Sequence, residues 1–260
     1  MSDFELTFLG TGTSTGIPMI GCKCAVCTSD DPRDKRDRSS VYIKTAECAW
    51  VVDTGQDFRH QCLREDITEL DAALFTHAHS DHIMGFDDLR RFTLPVEALL
   101  PVYANEHCMG MLRRIYEFAF NGENRYPSYL KPDPHVLDGP FSLGKTVITP
   151  LPVQHGKVQT NGYLFCRNGR KLLAYIPDCK EALPETPPLV QDVETLVIDS
   201  LRYSLHPTHM NVEEAVAFAR SIGAQQTYLT HFQCEVSHAK LEQELPPGFQ
   251  PAYDGLRLKL

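Results

Sequence analysis

The sequence has no apolar run long enough to cross a membrane. Its opening, MSDFELTFLG, lacks the basic and long apolar segments of a secretory leader, so a cytoplasmic protein is expected. It also lacks an excess of cations: 25 Lys and Arg stand against 34 Asp and Glu, for a net charge of −9. Gripping nucleic acid takes clustered cations that neutralise phosphates, so nucleic acid is not an expected partner. A small anionic substrate stays compatible, because bound metal ions reverse the local field. No repeat and no break in composition divides the 260 residues, so a single domain over 1–260 is expected. A homodimer is compatible with all of this.

A disulfide framework is missing too. Cysteine numbers nine, an odd count in a chain read as cytoplasmic. Cys22, Cys24 and Cys27 crowd into GCKCAVC, which suits a metal better than a bridge. Cys48, Cys62, Cys108 and Cys166 are scattered among apolar neighbours and read as small buried hydrophobes. Cys179 reads as structural.

Short apolar or β-branched runs bounded by turn residues mark strands: FELTFLG, SSVYIK, AWVVDTG, the start of DAALFTHAHSDH, and LLPVYA. The same texture returns in KTVITPLPVQHG, in a hairpin around Asn168-Gly169, in ETLVIDSL and in QQTYLTH. GFQPAYDGLRLKL closes the chain as a further strand. FRHQCLRED, EHCMGMLRRIYEFAF and NVEEAVAFARSIG have helical spacing. In the last of these Asn211 is the cap, Glu213 and Glu214 suit the first turn, and Gly223 suits the end. NGENRYPSYLKPD, with Arg125, Tyr126 and Tyr129, reads as a loop serving substrate contact or a dimer surface. Two strand-rich halves with helices between them suggest an α/β fold of two packed sheets.

THAHSDH places His77, His79, Asp81 and His82 within six residues. Imidazole suits zinc, iron and manganese, and carboxylate suits harder ions, so such a mixed set can hold two neighbouring cations. Other ligand types stand at the ends of other β runs: His155 in ITPLPVQHG, Asp178 in LLAYIPD, His231 in TYLTH. These junctions suggest one rim of a sheet sandwich. AWVVDTG adds Asp53, which either orients a ligand histidine from behind or caps the turn before Gly55.

In this order, over nearly the whole chain, Asp53, His-x-His-x-Asp-His at 77–82, His155, Asp178 and His231 resemble the metallo-β-lactamase superfamily. The resemblance implies an αββα four-layer sandwich of two mixed β-sheets with helices outside. It also implies two divalent ions, zinc or manganese. His77, His79 and His155 would hold one, Asp81, His82 and His231 the other, and Asp178 would bridge. His79 stands where the di-iron, oxygen-reducing branch carries Glu, and Asp81 where the di-zinc, antibiotic-degrading enzymes carry Cys. The first departure favours hydrolysis, and the second sets the chain apart from the antibiotic-degrading enzymes.

A two-metal site lowers the pKa of a bridging water and stabilises charge on phosphoryl oxygens. A departing alkoxide also needs a proton, and histidine is the natural donor near neutral pH. SLHPTHMNVEEA offers His206 and His209. The segment resembles its counterpart in the cyclic phosphodiesterase of the carbon–phosphorus lyase (phosphonate breakdown) pathway, where a histidine before a similar helix is the donor. The spacing of 22 residues to His231 picks His209. The catalytic group is then His209 with Asp81 and Asp53, and His206 is the weaker candidate. His60, His107, His135 and His238 read as surface or structural.

FLGTGTSTGIP followed by Cys-x-Cys-x-x-Cys resembles the start of the same phosphodiesterase. There the thiols bind a structural zinc with a histidine three residues after the last metal-binding histidine. Cys234 holds that position here, so Cys22, Cys24, Cys27 and Cys234 are implied as a Cys₄ zinc site. The expectation is a metal-dependent phosphodiesterase for a small or cyclic phosphodiester, such as a ribosyl 1,2-cyclic phosphate. Two alternatives come from the same resemblance. One is an RNA 3′-processing endonuclease, whose His-Ser-Thr segment is similar. The other is an accessory or carrier protein of cofactor biosynthesis, like the relative in the pyrroloquinoline quinone pathway.

Overall fold

The apolar runs become strands because their alternate residues can be buried on opposite faces. Phe4, Leu6 and Phe8 enter one core while Leu9 enters another; Trp50 and Val52 face one way and Val51 the other. The computed structural model describes residues 3–93, 99–122 and 128–260. One sheet runs Arg257–Lys259, Phe4–Gly10, Ser40–Thr45, Ala49–Val52, Ala72–Leu74, Leu100–Ala104, Pro132–Val136. The other runs Glu181–Ala182, Thr146–His155, Val158–Arg167, Arg170–Ile176, Thr195–Asp199, Gln226–Thr230, Phe249–Pro251, with Phe141–Leu143 beside Thr146–His155. Each sheet is antiparallel on one side and parallel on the other. The change falls at Ala49–Val52 in the first and at Arg170–Ile176 in the second.

Three apolar layers separate four structural ones. Phe4, Trp50, Phe165 and Tyr175 lie between the sheets. Phe75, Phe86, Met109 and Leu112 lie under the helices outside the first sheet, and Ile198, Ala215, Leu229 and Leu241 under those outside the second. This is the αββα sandwich expected from the resemblance. The Val212–Ser221 helix begins in a capping box: the Asn211 side chain accepts from the Glu214 backbone N–H, and the Glu214 carboxylate accepts from that of Asn211. Asn168 and Gly169 both have positive φ, 54° and 77°, as a tight two-residue hairpin requires.

Three local expectations change. GFQPAYDGLRLKL is two strands, Phe249–Pro251 and Arg257–Lys259, one in each sheet. The chain crosses at Asp254-Gly255, where Gly255 has φ 88°. The stretch read as a loop over 121–133 ends in the strand that starts at Pro132. Its Arg125 and Tyr126 lie outside the described residues, and Tyr129 packs edge-on against Phe118. Of the four scattered cysteines only Cys108 is buried; Cys48, in the turn between Ser40–Thr45 and Ala49–Val52, Cys62, on the short helix Phe58–Arg64, and Cys166, one residue from the end of Val158–Arg167, are partly covered. Among the described residues, no helix is long and apolar enough to cross a membrane.

Candidate metal centre

Parallel strands leave a crevice beyond their carboxyl ends. Asp53 follows Ala49–Val52, His77 follows Ala72–Leu74 within three residues, Asp178 follows Arg170–Ile176, and His231 follows Gln226–Thr230. His155 closes the long Thr146–His155 strand. Two of these residues have left-handed backbones, Asp53 at φ 64° and His231 at φ 63°. For residues with a Cβ this conformation is costly and persists only where the surroundings impose it. The loops close tightly here: a Cβ on Gly55 would lie 2.1 Å from the Asp81 carbonyl oxygen.

The donor atoms fall into two groups that share one carboxylate. Asp178 turns Oδ2 toward His77 Nε2 at 3.8 Å and His155 Nε2 at 3.9 Å. His79 Nδ1 is 2.8 Å from His77 Nε2, and donor atoms of His77, His79 and His155 lie within 4.8 Å of one another. Asp178 turns Oδ1 toward His82 Nε2 at 3.3 Å and His231 Nε2 at 3.2 Å. Asp81 Oδ2 stands 3.3 Å from His82 Nε2 and 3.9 Å from His231 Nε2. The seven residues that the resemblance implied as ligands are thus brought together around Asp178.

The imidazoles are held with a lone pair facing inward. The Asp53 carboxylate only accepts, so His82 donates Nδ1–H to it at 2.8 Å and keeps Nε2 bare. The Thr208 carbonyl does the same for His155 at 2.7 Å. Thr76 donates its hydroxyl to Asp53 and therefore accepts from His77 Nδ1 at 3.0 Å. Such partners orient metal-binding histidines. Asp53 thus orients His82 from behind and is completely buried, one of the two readings its sequence position left open.

The unsatisfied atoms test whether the set fits a cation. His82 Nε2, Asp178 Oδ1 and both ring nitrogens of His231 are buried without a hydrogen-bond partner among the described residues. Such atoms are costly unless something joins them, and a cation among them would satisfy three at once. The electrostatics agree. Burial opposes charge on His82, but the carboxylates of Asp178, Asp81 and Asp53 outweigh it and hold the imidazole well above its ordinary range, so Nε2 attracts positive charge and a divalent cation there would take the place of a proton. Burial also opposes charge on Asp178, and His231 and His82 outweigh it and hold that carboxyl well below its range. Burial pushes His155 down to about 4, leaving a neutral ligand. The donor set fits divalent cations of the zinc or manganese class.

His209 lies against this centre. Its ring stacks on His231 with centroids 4.8 Å apart and meets His155 edge-on at 4.4 Å. Its Nδ1 donates to Asp199 Oδ2 at 2.7 Å, and the same oxygen accepts the Cys179 backbone N–H. Asp199 is not among the expected site residues, although it ends the Thr195–Asp199 strand and so carries the same strand-end signal as Asp178 after Arg170–Ile176. Thr76 and Thr208 carried no signal, since threonine is common in turns. His60, His107 and His135 are exposed, and His238 is buried against Arg36.

The second cluster gathers Cys22, Cys24, Cys27 and Cys234, whose sulfurs lie within 4.8 Å of one another. Backbone N–H groups of Met19 and Cys27 point at the sulfurs of Cys27 and Cys24. The Cys27 N–H is the main reason the Cys24 thiol falls to about 7, toward the thiolate that binds metal.

The model of the beta-lactamase superfamily domain matches residues 50–232. The chain therefore belongs to the metallo-β-lactamase superfamily, as its fold and its histidine and aspartate cluster require. Within that superfamily it resembles PhnP. It is 36% identical to a diphosphatase of the PhnP family, over 98% of this chain and 96% of that one, with a TM-score of 0.90. It is 37% identical over 256 residues to an octanoyltransferase of Porphyromonas gingivalis, covering 95% of this chain but only 50% of that relative, so the chain spans half of its length. Zinc-bound PqqB from Methylobacterium extorquens shares the fold, with a TM-score of 0.78 at 20% identity over 98% of this chain and all of that one.

Proposed function

We propose that this protein is a dinuclear, metal-dependent phosphodiesterase acting on a small or cyclic phosphodiester. The observation that carries the reading is the Asp178 carboxylate, with one oxygen toward each ligand group. The diphosphatase of the PhnP family is the relative that points to phosphorus chemistry. His77, His79 and His155 would hold one ion, and Asp81, His82 and His231 the other. Bound there, the ions would supply an activated water and stabilise charge on the phosphoryl oxygens.

The remaining work falls to the chain. Asp53, Thr76 and the Thr208 carbonyl keep three imidazoles aimed inward. His209 is the proton donor: Asp199 accepts its Nδ1–H and stabilises the imidazolium, and Nε2–H passes its proton to the leaving oxygen as the P–O bond breaks. The Cys₄ set would hold a structural zinc, since four sulfur ligands leave no open position for water or substrate.

The test is metal analysis beside turnover of cyclic nucleotides, ribose 1,2-cyclic phosphate and bis(p-nitrophenyl) phosphate. Two ions outside the Cys₄ site and turnover of at least one diester are expected. A metal-loaded protein that turns over none overturns the reading, and cleavage of pre-transfer RNA in their place moves it to the RNA 3′-processing alternative.

A further inference from the structure

We propose that His206 is a substrate-contacting residue whose Nε2–H donates to an oxygen carried by the departing group, so that the site selects leaving groups of sugar type. This rests on the phosphodiesterase reading and adds the chemical class of the leaving group.

The argument begins with the tautomer. His206 Nδ1 is 3.4 Å from the Thr208 backbone N–H, which can only donate, and 3.1 Å from the Thr208 hydroxyl. Nδ1 is therefore the acceptor, and in the neutral ring the proton sits on Nε2. Nε2 makes no hydrogen bond within the chain among the described residues. Burial is the main cause that lowers the His206 pKa, and nearby His209 and Arg202 add to it, so the ring remains a neutral donor.

The loop that presents His206 is fixed from three sides. The Thr208 carbonyl accepts from His155, the His209 ring is tied to Asp199, and Gly156 allows an approach in which a Cβ would lie 2.6 Å from Thr208 Cγ2. Arg202 adds a fourth hold by donating to the Leu205 carbonyl at 3.0 Å. A half-buried imidazole on so constrained a loop, with Nε2 unbonded among the described residues, is spare capacity at a defined place.

That place is beside the proton donor. The rings of His206 and His209 have centroids 5.2 Å apart, and those of His209 and His155 are 4.4 Å apart. The order is metal centre, His209, His206. If His209 meets the leaving oxygen, His206, with its ring centroid 5.2 Å away, meets atoms two or three bonds further out. A sugar has a hydroxyl or ring oxygen at that distance; a p-nitrophenyl group has only ring carbons there.

The test compares His206→Ala with wild type on a sugar phosphodiester, ribose 1,2-cyclic phosphate, and on bis(p-nitrophenyl) phosphate. Loss of one such hydrogen bond should lower kcat/KM on the sugar substrate about tenfold, with a several-fold smaller loss on the aryl diester and unchanged metal content. His206→Gln, which keeps an N–H donor, should recover most of the loss. Thr208→Val, which removes the nearer of the two Nδ1 partners but keeps the backbone N–H and the carbonyl, should show a weaker form of the same substrate dependence. Equal losses on the two substrates, no loss on either, or a wild type that accepts the aryl diester and no sugar phosphodiester would overturn the proposal. A metal-loaded wild type that turns over neither brings down the phosphodiesterase reading itself, and this proposal with it.

Discussion

The two candidate metal clusters meet on one short segment, since Cys234 follows His231 by three residues, yet they are built differently. The histidine and aspartate cluster stands at strand ends, and its ligands are braced by Asp53, Thr76 and the Thr208 carbonyl. The cysteine cluster stands on loops, with a small apolar patch of Ile17 and Val26 and backbone N–H groups around its sulfurs. A centre that must hold water and substrate between two ions needs its ligands placed by a rigid sheet. A closed sulfur site needs only that four flexible positions converge, because the metal itself completes the structure.

The comparison can be broken most sharply at Asp178. Asp178→Ala should lower phosphodiester turnover by more than about a thousandfold and reduce both ions of the strand-end cluster while sparing the cysteine zinc. Metal analysis before and after chelation reads this directly. Loss of the cysteine zinc alone would reverse the assignment.

Asp199→Asn comes next. It should leave metal content intact and lower kcat about a hundredfold on poor leaving groups, because His209 loses the carboxylate that favours its imidazolium. The loss should shrink with p-nitrophenolate, which leaves without a proton. Equal loss across leaving groups would point to a structural role.

Cys234→Ala should act on stability rather than chemistry. The expected outcome is one zinc fewer, a lower Tm and largely retained strand-end ions, read by metal analysis and thermal melting. If no zinc is lost, the cysteine cluster is not a metal site.

The smallest effect is expected at the brace between the clusters. Arg36 is buried with its guanidinium 4.5 Å over the Phe232 ring, next to His231, and it donates to His238 Nδ1 at 3.2 Å. Burial first, and then the Arg36 and Arg33 charges, push His238 down to about 4. In the unfolded chain a histidine takes up its proton near pH 6.5. The unfolded state therefore binds more protons between the two values, and stability should fall as pH drops from about 6.5 to about 4. His238→Gln should flatten that acid limb in melts recorded against pH.

Much of the site was legible because strand ends are local events. A β run followed by Asp or His is visible in THAHSDH, LLAYIPD and TYLTH without knowing which strands pair. The other residues act through tertiary contacts, although Asp199 also carries the local strand-end signal. Asp199 matters because its carboxylate reaches His209, and Thr208 because its carbonyl reaches His155, 53 residues earlier. The closing stretch was misread for a related reason: alternation marks a strand but does not say which sheet receives it, and the turn at Gly255 sends its two parts to different sheets.

By itself, then, the sequence determined the fold class, the ligand types and their order along the chain, since these follow from residue chemistry and short-range periodicity. The tertiary structure decided which oxygen of Asp178 faces which histidines, which nitrogens of His77, His82 and His155 are held from behind, and that Nε2 of His206 has no hydrogen-bond partner among the described residues. Those outcomes depend on distances between segments far apart in sequence, and such distances are set only when two sheets pack and bring their strand ends to one rim.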